Sequence, residues 1–195
     1  MKQLIALTSL ALLLAACASN NVEPPAPLVK FTPKVKVEKV WGASVGSADA
    51  ILRLGIVAAS DGTNVYTAAH NGDVYAFALQ DGRRRWTVST KLSISAGPGV
   101  GQGMVVVGGS DGTLLALNAV NGKQLWKTNV NGSILASPAV DQTAVVVDTT
   151  DGHIIALSPA SGEKLWSVSR EAPNLSLRGA SPTVINGNKI GRAHV

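Results

Sequence analysis

Few residues of this chain carry side chains that could do catalytic or metal chemistry. The single thiol belongs to Cys17, and the three histidines are His70, His153 and His194. None of the histidines has a cysteine, a second histidine or a carboxylate at the spacing of a metal-ligand motif, whereas a catalytic zinc site takes about three protein ligands. We therefore expect no catalytic residue, no metal and no cofactor. We expect the turn histidines to be solvated, and the repeated aspartates to accept backbone hydrogen bonds in turns.

Cys17 follows a segment with the three parts of a secretory signal. Lys2 supplies a positive charge, residues 4–16 form a mostly apolar run, and that run ends in two alanines. The run is shorter than the roughly 20 apolar residues that span a bilayer. The sequence Leu-Ala-Ala-Cys at 14–17 resembles the lipobox of bacterial lipoproteins, which implies cleavage before Cys17 and acylation of that residue. Residues 1–16 are therefore predicted to be a signal peptide; an ordinary signal followed by a stray cysteine is the alternative.

The residues after Cys17 indicate which membrane would hold the lipid. Ala18 stands where an aspartate would resemble an inner-membrane retention signal, so the resemblance implies the outer membrane, with the protein on the periplasmic side. Residues 17–34 include Pro24, Pro25 and Pro27, which favour extended polyproline II. We expect this segment to be a tether between the lipid and a domain.

The rest of the chain has the composition of a folded domain. Residues 17–195 are enough for one core, and only 15% of the chain is charged, which argues against disorder. The formal net charge is +5, but no basic helix and no basic stripe with interleaved aromatic residues is present, so nucleic acid is not an expected partner. The run Arg83-Arg84-Arg85 is interpreted as a solvated hairpin end.

Three tryptophans mark a repeat with a period of 40 residues. They are Trp86, Trp126 and Trp166, and a glycine stands four residues before each of them, at Gly82, Gly122 and Gly162. Turn dipeptides step by the same interval, at Asn71-Gly72, Asp111-Gly112 and Asp151-Gly152. A fixed period near 40 indicates one supersecondary unit repeated along the chain.

Each unit contains four short strand patterns separated by turns. In the third unit, residues 137–141 precede a β-branched run at 144–148, and strand patterns follow at 153–157 and 164–168. The Asp-Gly turns between them suit antiparallel hairpins, since glycine accepts positive φ. The sequence therefore predicts an all-β fold of four-stranded antiparallel blades, which is a β-propeller. One tryptophan per blade suits packing between neighbouring sheets.

The end of each unit resembles the repeat of quinoprotein-type propellers, Ala-x-Asp-x-x-Thr-Gly-x-x-x-Trp. Residues 116–126 and 156–166 follow this pattern, and residues 76–86 follow it more loosely. The usual aspartate is replaced in all three copies, by Ala78, Asn118 and Ser158. Trp41 resembles the tryptophan of a last strand that precedes the first unit, and in closed propellers such a strand often completes the final blade.

The lipobox, the proline-rich tether and these repeats together resemble the BamB family, the propeller lipoproteins of the outer-membrane β-barrel assembly machinery. The resemblance covers residues 1–189 and implies an eight-bladed propeller. It implies a scaffold without catalytic activity that helps outer-membrane proteins to assemble and insert. The implied partners are the periplasmic domains of BamA, the barrel-forming subunit, and unfolded outer-membrane proteins. The contact loop of the family reads Leu-x-Leu-Arg-Gly, which here implies contacts by Leu175, Leu177 and Arg178.

The spacing of the repeat gives a separate reason to single out this loop. Pro138 and Pro182 are 44 residues apart, whereas Pro98 and Pro138 are 40 apart, so the third connection is longer. It carries two leucines and an arginine, and arginine is enriched at protein interfaces. From the residues alone, contact with a partner and leucines packed back onto the blade are about equally open.

Two other functions share the repeat. The first is a periplasmic dehydrogenase that uses pyrroloquinoline quinone; that family shows a vicinal cysteine pair and an acidic calcium site, whereas this chain has no cysteine besides Cys17. The second is a lipid-anchored propeller that binds a small ligand in its channel.

The last six residues depart from the repeat. After Lys189 the pattern predicts a β-branched strand like that at 105–109, but residues 190–195 read Ile-Gly-Arg-Ala-His-Val and resemble a translated sequencing adapter. We therefore expect residues 35–189 to be a partial propeller, with roughly half of the blades that the resemblance implies, and residues 190–195 to be a non-native tail.

Overall fold

The computed structural model describes residues 25–29, 34–46, 56–169, 182–187 and 189–192. The described residues up to Glu38 and those from Lys39 onward belong to two separate compact units, and every strand lies in the second unit. The described ranges contain strands but no helix, and thus no helix of the length and hydropathy needed to cross a membrane.

The strands are short and follow one another closely along the chain. In order they are β1 (Ala59–Ser60), β2 (Asn64–Ala68), β3 (Asp73–Ala78), β4 (Arg84–Ser89), β5 (Gly99–Gly101), β6 (Met104–Gly108), β7 (Thr113–Asn118), β8 (Gln124–Asn129), β9 (Ala139–Val140), β10 (Val145–Asp148), β11 (His153–Leu157), β12 (Lys164–Ser169), β13 (Thr183–Asn186) and β14 (Lys189–Arg192).

These strands form three four-stranded antiparallel sheets and one hairpin. Blade 1 is β1–β4, blade 2 is β5–β8 and blade 3 is β9–β12, and within each blade every strand pairs with the next one in sequence. Strands β13 and β14 form a further antiparallel pair. The prediction of an all-β fold with four-stranded propeller blades is confirmed, and the strands of blade 3 lie where the sequence pattern predicted them.

Strand β6 is apolar throughout because both of its faces are buried. On β6, Val105 and Val107 pack in a cluster with Tyr66 and Val74 of blade 1. The alternate residue Val106 packs in a second cluster with blade 3. Side chains on a strand alternate between its two faces, so a strand between two sheets carries apolar residues at every position.

A contact between tryptophan and glycine joins blade 1 to blade 2 and blade 2 to blade 3. The indole Nε1 of Trp86 donates to the carbonyl oxygen of Ala119 at 2.9 Å, and that of Trp126 donates to the carbonyl oxygen of Pro159 at 2.7 Å. Each indole lies against the glycine of the neighbouring β-turn, so that a methyl group on Gly162 would sit 2.6 Å from the Trp126 ring. The predicted packing of tryptophan between sheets is therefore confirmed for Trp86 and Trp126, whereas Trp166 is exposed.

Glycine is required in the turns at these junctions for two separate reasons. Gly122 and Gly162 have φ values of 71° and 73°, in the region that side chains other than glycine rarely occupy. The same residues also have no room for a β-carbon, because the tryptophan ring of the preceding blade fills that space.

The junction between blades 1 and 2 has an additional polar contact. The hydroxyl of Tyr66 donates to Asp61 Oδ2 at 2.8 Å and lies 3.2 Å from the carbonyl oxygen of Ala119, which also accepts from Trp86. Burial, together with the neighbouring Asp61, raises the pKa of Tyr66 to about 12, so the hydroxyl keeps its proton. Valines 106 and 146 hold the equivalent position in the other blades, so this contact belongs to the first junction.

Trp41 makes on blade 1 the contact that Trp86 makes on blade 2. Its Nε1 donates to the carbonyl oxygen of Leu79 at 2.7 Å, and its ring covers Gly82. This is the position expected for the tryptophan of a preceding last strand. However, no strand is assigned to residues 34–46, since Trp41 reaches blade 1 through its side chain rather than through paired backbone.

Strand β14 crosses the boundary that we predicted between the propeller and a non-native tail. Lys189 pairs with Asn186, and Ile190 and Arg192 continue the pairing with Ile185 and Thr183. A short hairpin accepts many sequences, so this pairing leaves the origin of residues 190–195 as a prediction.

Candidate partner-binding site

The predicted contact residues lie in the connection between β12 and β13. Leu175, Leu177 and Arg178 fall outside the described residues, as does the predicted lipidation site Cys17. The structure does describe the two equivalent connections, between β4 and β5 and between β8 and β9. It also describes the turns that lie at the same end of the blades.

The antiparallel order of the strands determines which turns share an end. The turns β2–β3, β6–β7 and β10–β11 lie at the end where each blade is joined to the next. The turns β1–β2 and β3–β4, with their equivalents, lie at the opposite end. Strand β12 therefore ends, and β13 begins, at the same end of the blades as the turns that carry His70, Asp111 and Asp151.

The first connection is held closely against blades 1 and 2. The amide of Thr90 donates to the carbonyl of Gly72, and the amide of Ser110 donates to the carbonyl of Ser93, at 2.9 and 3.0 Å. Between these bonds, Ile94 is completely buried and forms an isolated bridge with Gly109. The buried isoleucine fixes the connection against the neighbouring blade.

The second connection repeats the same contacts one blade further on. The amide of Val130 donates to the carbonyl of Gly112, and the amide of Thr150 donates to the carbonyl of Ser133, both at 3.0 Å. Ile134 is completely buried and bridges to Thr149. These two examples define how a connection of ordinary length is held in this protein.

His70 is not the solvated turn residue that the sequence led us to expect. Its side chain is half-buried, and its Nδ1 lies 2.8 Å from the carbonyl oxygen of Ile94. The turn that carries it packs against the incoming connection, so the ring finds a backbone partner there. The pattern of apolar residues gave no signal for this contact, because it depends on which turn meets which connection.

His153 lies beside a carboxylate that the sequence analysis did not pair with it. Its Nδ1 is 3.1 Å from Asp151 Oδ2, and both side chains are largely exposed. Among the described residues, no group of three or more histidine, cysteine, aspartate or glutamate side chains could hold a metal ion. His194 lies outside the described residues.

The turn aspartates accept local hydrogen bonds, as predicted. Asp111 Oδ1 accepts from the amide of Thr113 at 3.0 Å, and that bond is the main reason why the pKa of Asp111 is lowered. The hydroxyl of Thr149 donates to Asp151 and is the main cause of the lowered pKa of Asp151. These carboxylates therefore stay ionised at neutral pH and hold turns, rather than serving as acids or bases.

In two blades, the residue that replaces the usual aspartate of the repeat also accepts hydrogen bonds from the amides of its turn. Asn118 Oδ1 accepts from the amides of Val120 and Asn121 at 2.9 and 3.2 Å, and Ser158 Oγ accepts from the amide of Ser161 at 3.4 Å. Ala78 has no such oxygen. Asp81 accepts from the amide of Arg83, a bond that Asn121 and Ser161 also form at the equivalent positions of the other blades. The missing aspartate thus leaves these turns supported.

Four-stranded antiparallel blades joined by tryptophan–glycine contacts define this chain as a quinoprotein-type β-propeller. The crystal structure of BamB from Moraxella catarrhalis is similar at a TM-score of 0.66 and 25% identity, over 71% of this chain and 42% of that one. The quinohemoprotein alcohol dehydrogenase of Comamonas testosteroni is similar at a TM-score of 0.51 and 24% identity, over 59% of this chain and 21% of that one. At that identity the likeness shows the fold alone.

The family comparison is more specific than the fold. The family model described as outer membrane protein assembly factor BamB matches residues 70–191, and the chain belongs to this family. An outer membrane protein assembly factor BamB of Xanthomonas campestris pv. campestris is 40% identical over 114 residues, which cover 52% of this chain and 27% of that relative. The chain spans about a quarter of the length of the curated relatives it matches.

Proposed function

We propose that this chain is part of a non-enzymatic scaffold in outer-membrane protein assembly, anchored in the outer membrane on its periplasmic side by lipid on Cys17. Membership of the family named for outer membrane protein assembly carries this proposal. The proposed partner is the barrel-forming subunit BamA, bound through its periplasmic domains by the connection between β12 and β13. In this proposal, unfolded outer-membrane proteins are a second partner, delivered to the same machinery.

The two described connections support a special role for the third. Each connection leads to a proline, which is Pro98, Pro138 or Pro182. The buried residues Ile94 and Ile134 stand four residues before their prolines, and the residue four before Pro182 is Arg178. By the same count, the exposed Ser93 corresponds to Leu177. A connection that followed the course of the first two would bury a guanidinium and expose a leucine, and burying an unpaired charge is costly.

The extra length of the third connection offers a different course. In this proposal, its four additional residues, by the spacing of the prolines, free Leu175 and Leu177 to act as apolar anchors next to Arg178 in sequence. Buried apolar anchors next to an arginine are the usual composition of an interface hot spot. The neighbouring turns carry ionised aspartates, which would favour a partner surface with complementary charge.

The experiment is co-purification of the barrel-forming subunit with the tagged, membrane-anchored protein. We expect the triple variant Leu175→Ala, Leu177→Ala, Arg178→Ala to lose most of the co-purified subunit while folding normally by circular dichroism. A matched control, Leu79→Ala, Val120→Ala, Lys39→Ala, also removes two exposed apolar side chains and one cation, but away from that end of the blades. Equal retention of the subunit by both variants would exclude this loop as the contact.

The lipid anchor is tested separately by replacing its attachment residue. Cys17→Ser is expected to deplete the protein from the outer-membrane fraction, measured by fractionation, with mass spectrometry of the wild-type N-terminus to detect the lipid. Retention of this variant in the outer-membrane fraction, together with an unmodified wild-type Cys17, would contradict the anchor.

A further inference from the structure

The cationic side chains of the blades are concentrated on one structural element. Between residues 56 and 169, every lysine and arginine except Lys91 lies on the fourth strand of a blade or on the residue just before it. These six residues, which we call the basic edge, are Arg83, Arg84, Arg85, Lys123, Lys127 and Lys164, and all are exposed.

The carboxylates of the same region are distributed in the opposite way. Only Asp81 and Glu163 lie beside the basic edge. The other six belong to the first three strands of the blades or to the turns between them, and are Asp61, Asp73, Asp111, Asp141, Asp148 and Asp151. The positive charge is therefore separated from the negative charge within each blade, rather than mixed with it as on an ordinary solvated surface.

The fourth strands lie at the outer border of the blades. Each pairs with only one neighbour, the third strand of its own blade. The first strands of successive blades, β1, β5, β9 and β13, instead contact one another in order. The basic edge thus faces away from the strands where the blades converge.

Most of the basic edge is free to bind an external anion. Within the described ranges, Arg83 forms the edge's ion pair, with its Nε 2.7 Å from Asp81 Oδ2. Lys127 and Arg85 only contribute at longer range to the lowered pKa values of Asp111 and Asp81. Arg84, Arg85, Lys123, Lys127 and Lys164 have no ion pair with any described residue.

A small groove opens on the basic edge between blades 1 and 2. Its volume is about 150 Å³, comparable to a cavity that admits a benzene-sized group. Its floor is apolar and its mouth carries exposed polar groups, among them the Lys127 ammonium. The lining residues are Val88, Ser89, Thr90, Leu92, Leu115, Leu117, Gln124 and Lys127.

We propose that the basic edge binds the anionic phospholipid surface of a membrane, with one headgroup seated in the groove beside Lys127. The cations are spread along three blades rather than gathered around one pocket, which matches a surface of many equal headgroups better than a single acidic ligand. Lysine and arginine near an anionic membrane each add to its attraction, and the attraction extends over about one Debye length. The inference rests on the membrane anchoring of the proposed function, since the tether would keep the edge near such a surface.

The test compares binding to two kinds of vesicle. The full chain with Cys17→Ser, which cannot be acylated, is mixed with vesicles of phosphatidylcholine alone or with about 30% phosphatidylglycerol, and bound protein is separated by flotation. We expect tighter binding to the anionic vesicles, and this preference is expected to fade as salt is raised. The apolar leader is common to every variant and both vesicles, so it does not contribute to the difference.

The variants locate the binding surface. Replacing Arg84, Arg85, Lys123 and Lys127 by glutamine is expected to weaken binding to the anionic vesicles by at least about tenfold. The control removes four exposed cations elsewhere, by replacing Lys34, Lys39, Lys91 and Lys189 with glutamine, and is expected to keep most of the preference. Equal losses in the two variants, or none in either, would overturn the proposal.

Two further measurements separate the possible sources of the anion. Inorganic phosphate at constant ionic strength is expected to leave vesicle binding unchanged; full competition would indicate a site for a free anion and contradict the membrane surface. Co-purification of the barrel-forming subunit is expected to persist in the basic-edge variant; its loss, with vesicle binding retained, would make the edge a protein interface. Failure of Cys17 acylation would overturn the anchor, but a preference for anionic vesicles would still stand.

Discussion

The tryptophans of blades 2 and 3 hold the same place in the repeat but lie in different surroundings. Trp126 is 6% exposed, donates to Pro159 and covers Gly162. Trp166 is 40% exposed and makes no hydrogen bond through its indole to a described residue, and its neighbours Leu165 and Val168 are exposed as well. The motif thus places an indole on the last strand, while its burial depends on the turn of a following blade.

The largest effect should come from removing each ring. Trp126→Ala is expected to lower the free energy of unfolding by about 3–5 kcal/mol, because it leaves a cavity between blades. Trp166→Ala should cost only about 1–2 kcal/mol, since much of that ring is in water. Urea unfolding followed by far-ultraviolet circular dichroism measures both. Equal costs would mean that the two rings are equally buried in solution.

Substitution of a turn glycine tests the same tryptophan–glycine contact. Gly122→Ala is expected to cost about 2–4 kcal/mol, because it combines a left-handed backbone with overlap of the Trp86 ring and of the neighbouring Val88 side chain. Gly103→Ala is the matched control: its φ is also 71°, but nothing lies within 4 Å of the added methyl group. It should cost about 1–2 kcal/mol. If the two variants unfold alike, the ring contact contributes nothing measurable.

Removing only the indole hydrogen bond should give a smaller difference in the free energy of unfolding between the two tryptophan positions. Trp126→Phe keeps an aromatic ring but leaves the Pro159 carbonyl without its donor, and is expected to cost about 1–2 kcal/mol. Trp166→Phe has no such bond to lose and should stay within about 0.5 kcal/mol of the wild type. Thermal melting of the two variants side by side distinguishes these values, and a neutral Trp126→Phe would show that packing alone secures the junction.

Acid should have the smallest effect on stability, through the turn aspartates. It should leave the difference in stability between the Trp126→Ala and Trp166→Ala variants unchanged. Hydrogen bonds from the Thr113 amide, the Thr143 hydroxyl and the Thr149 hydroxyl lower the pKa values of Asp111, Asp141 and Asp151. Because the folded-state pKa values are depressed, these carboxylates stabilise the fold above the ordinary aspartate range. That contribution is lost as the pH falls through the folded values, below about pH 4.

The measurement is the melting temperature between neutral pH and pH 3. Asp111 and Asp151 are exposed and Asp141 is half-buried, so the decline should be modest, and Asp141→Asn should reduce it slightly. Since equivalent turns occur in blades 2 and 3, the stability difference between the Trp126→Ala and Trp166→Ala variants should not depend on pH. A pH-dependent difference would show that the turns and the tryptophan junctions are coupled.

Much of the fold could be predicted because its signals are local and repeated. The 40-residue spacing, the Asp-Gly turns and the apolar middle strands each predicted a feature of the blade that the structure contains. The burial of Ile94 and Ile134 and the partner of His70 were not predicted, because both depend on which turn meets which connection. The contact loop itself remains a prediction. It is supported by its spacing and by its sequence, which has an arginine where the other two connections have a buried isoleucine.

The sequence by itself determined the blade, the places of its turns and the presence of one indole on every last strand. These follow from hydrogen bonding and side-chain alternation within about 40 residues, which any copy of the repeat can satisfy alone. Only the tertiary structure decided which indole is covered, which carbonyl accepts its hydrogen bond and that the six cations of the basic edge lie at the outer border of the blades. Those outcomes depend on surfaces of neighbouring blades meeting, and the free energy of burying an indole is gained only when the next turn is in place.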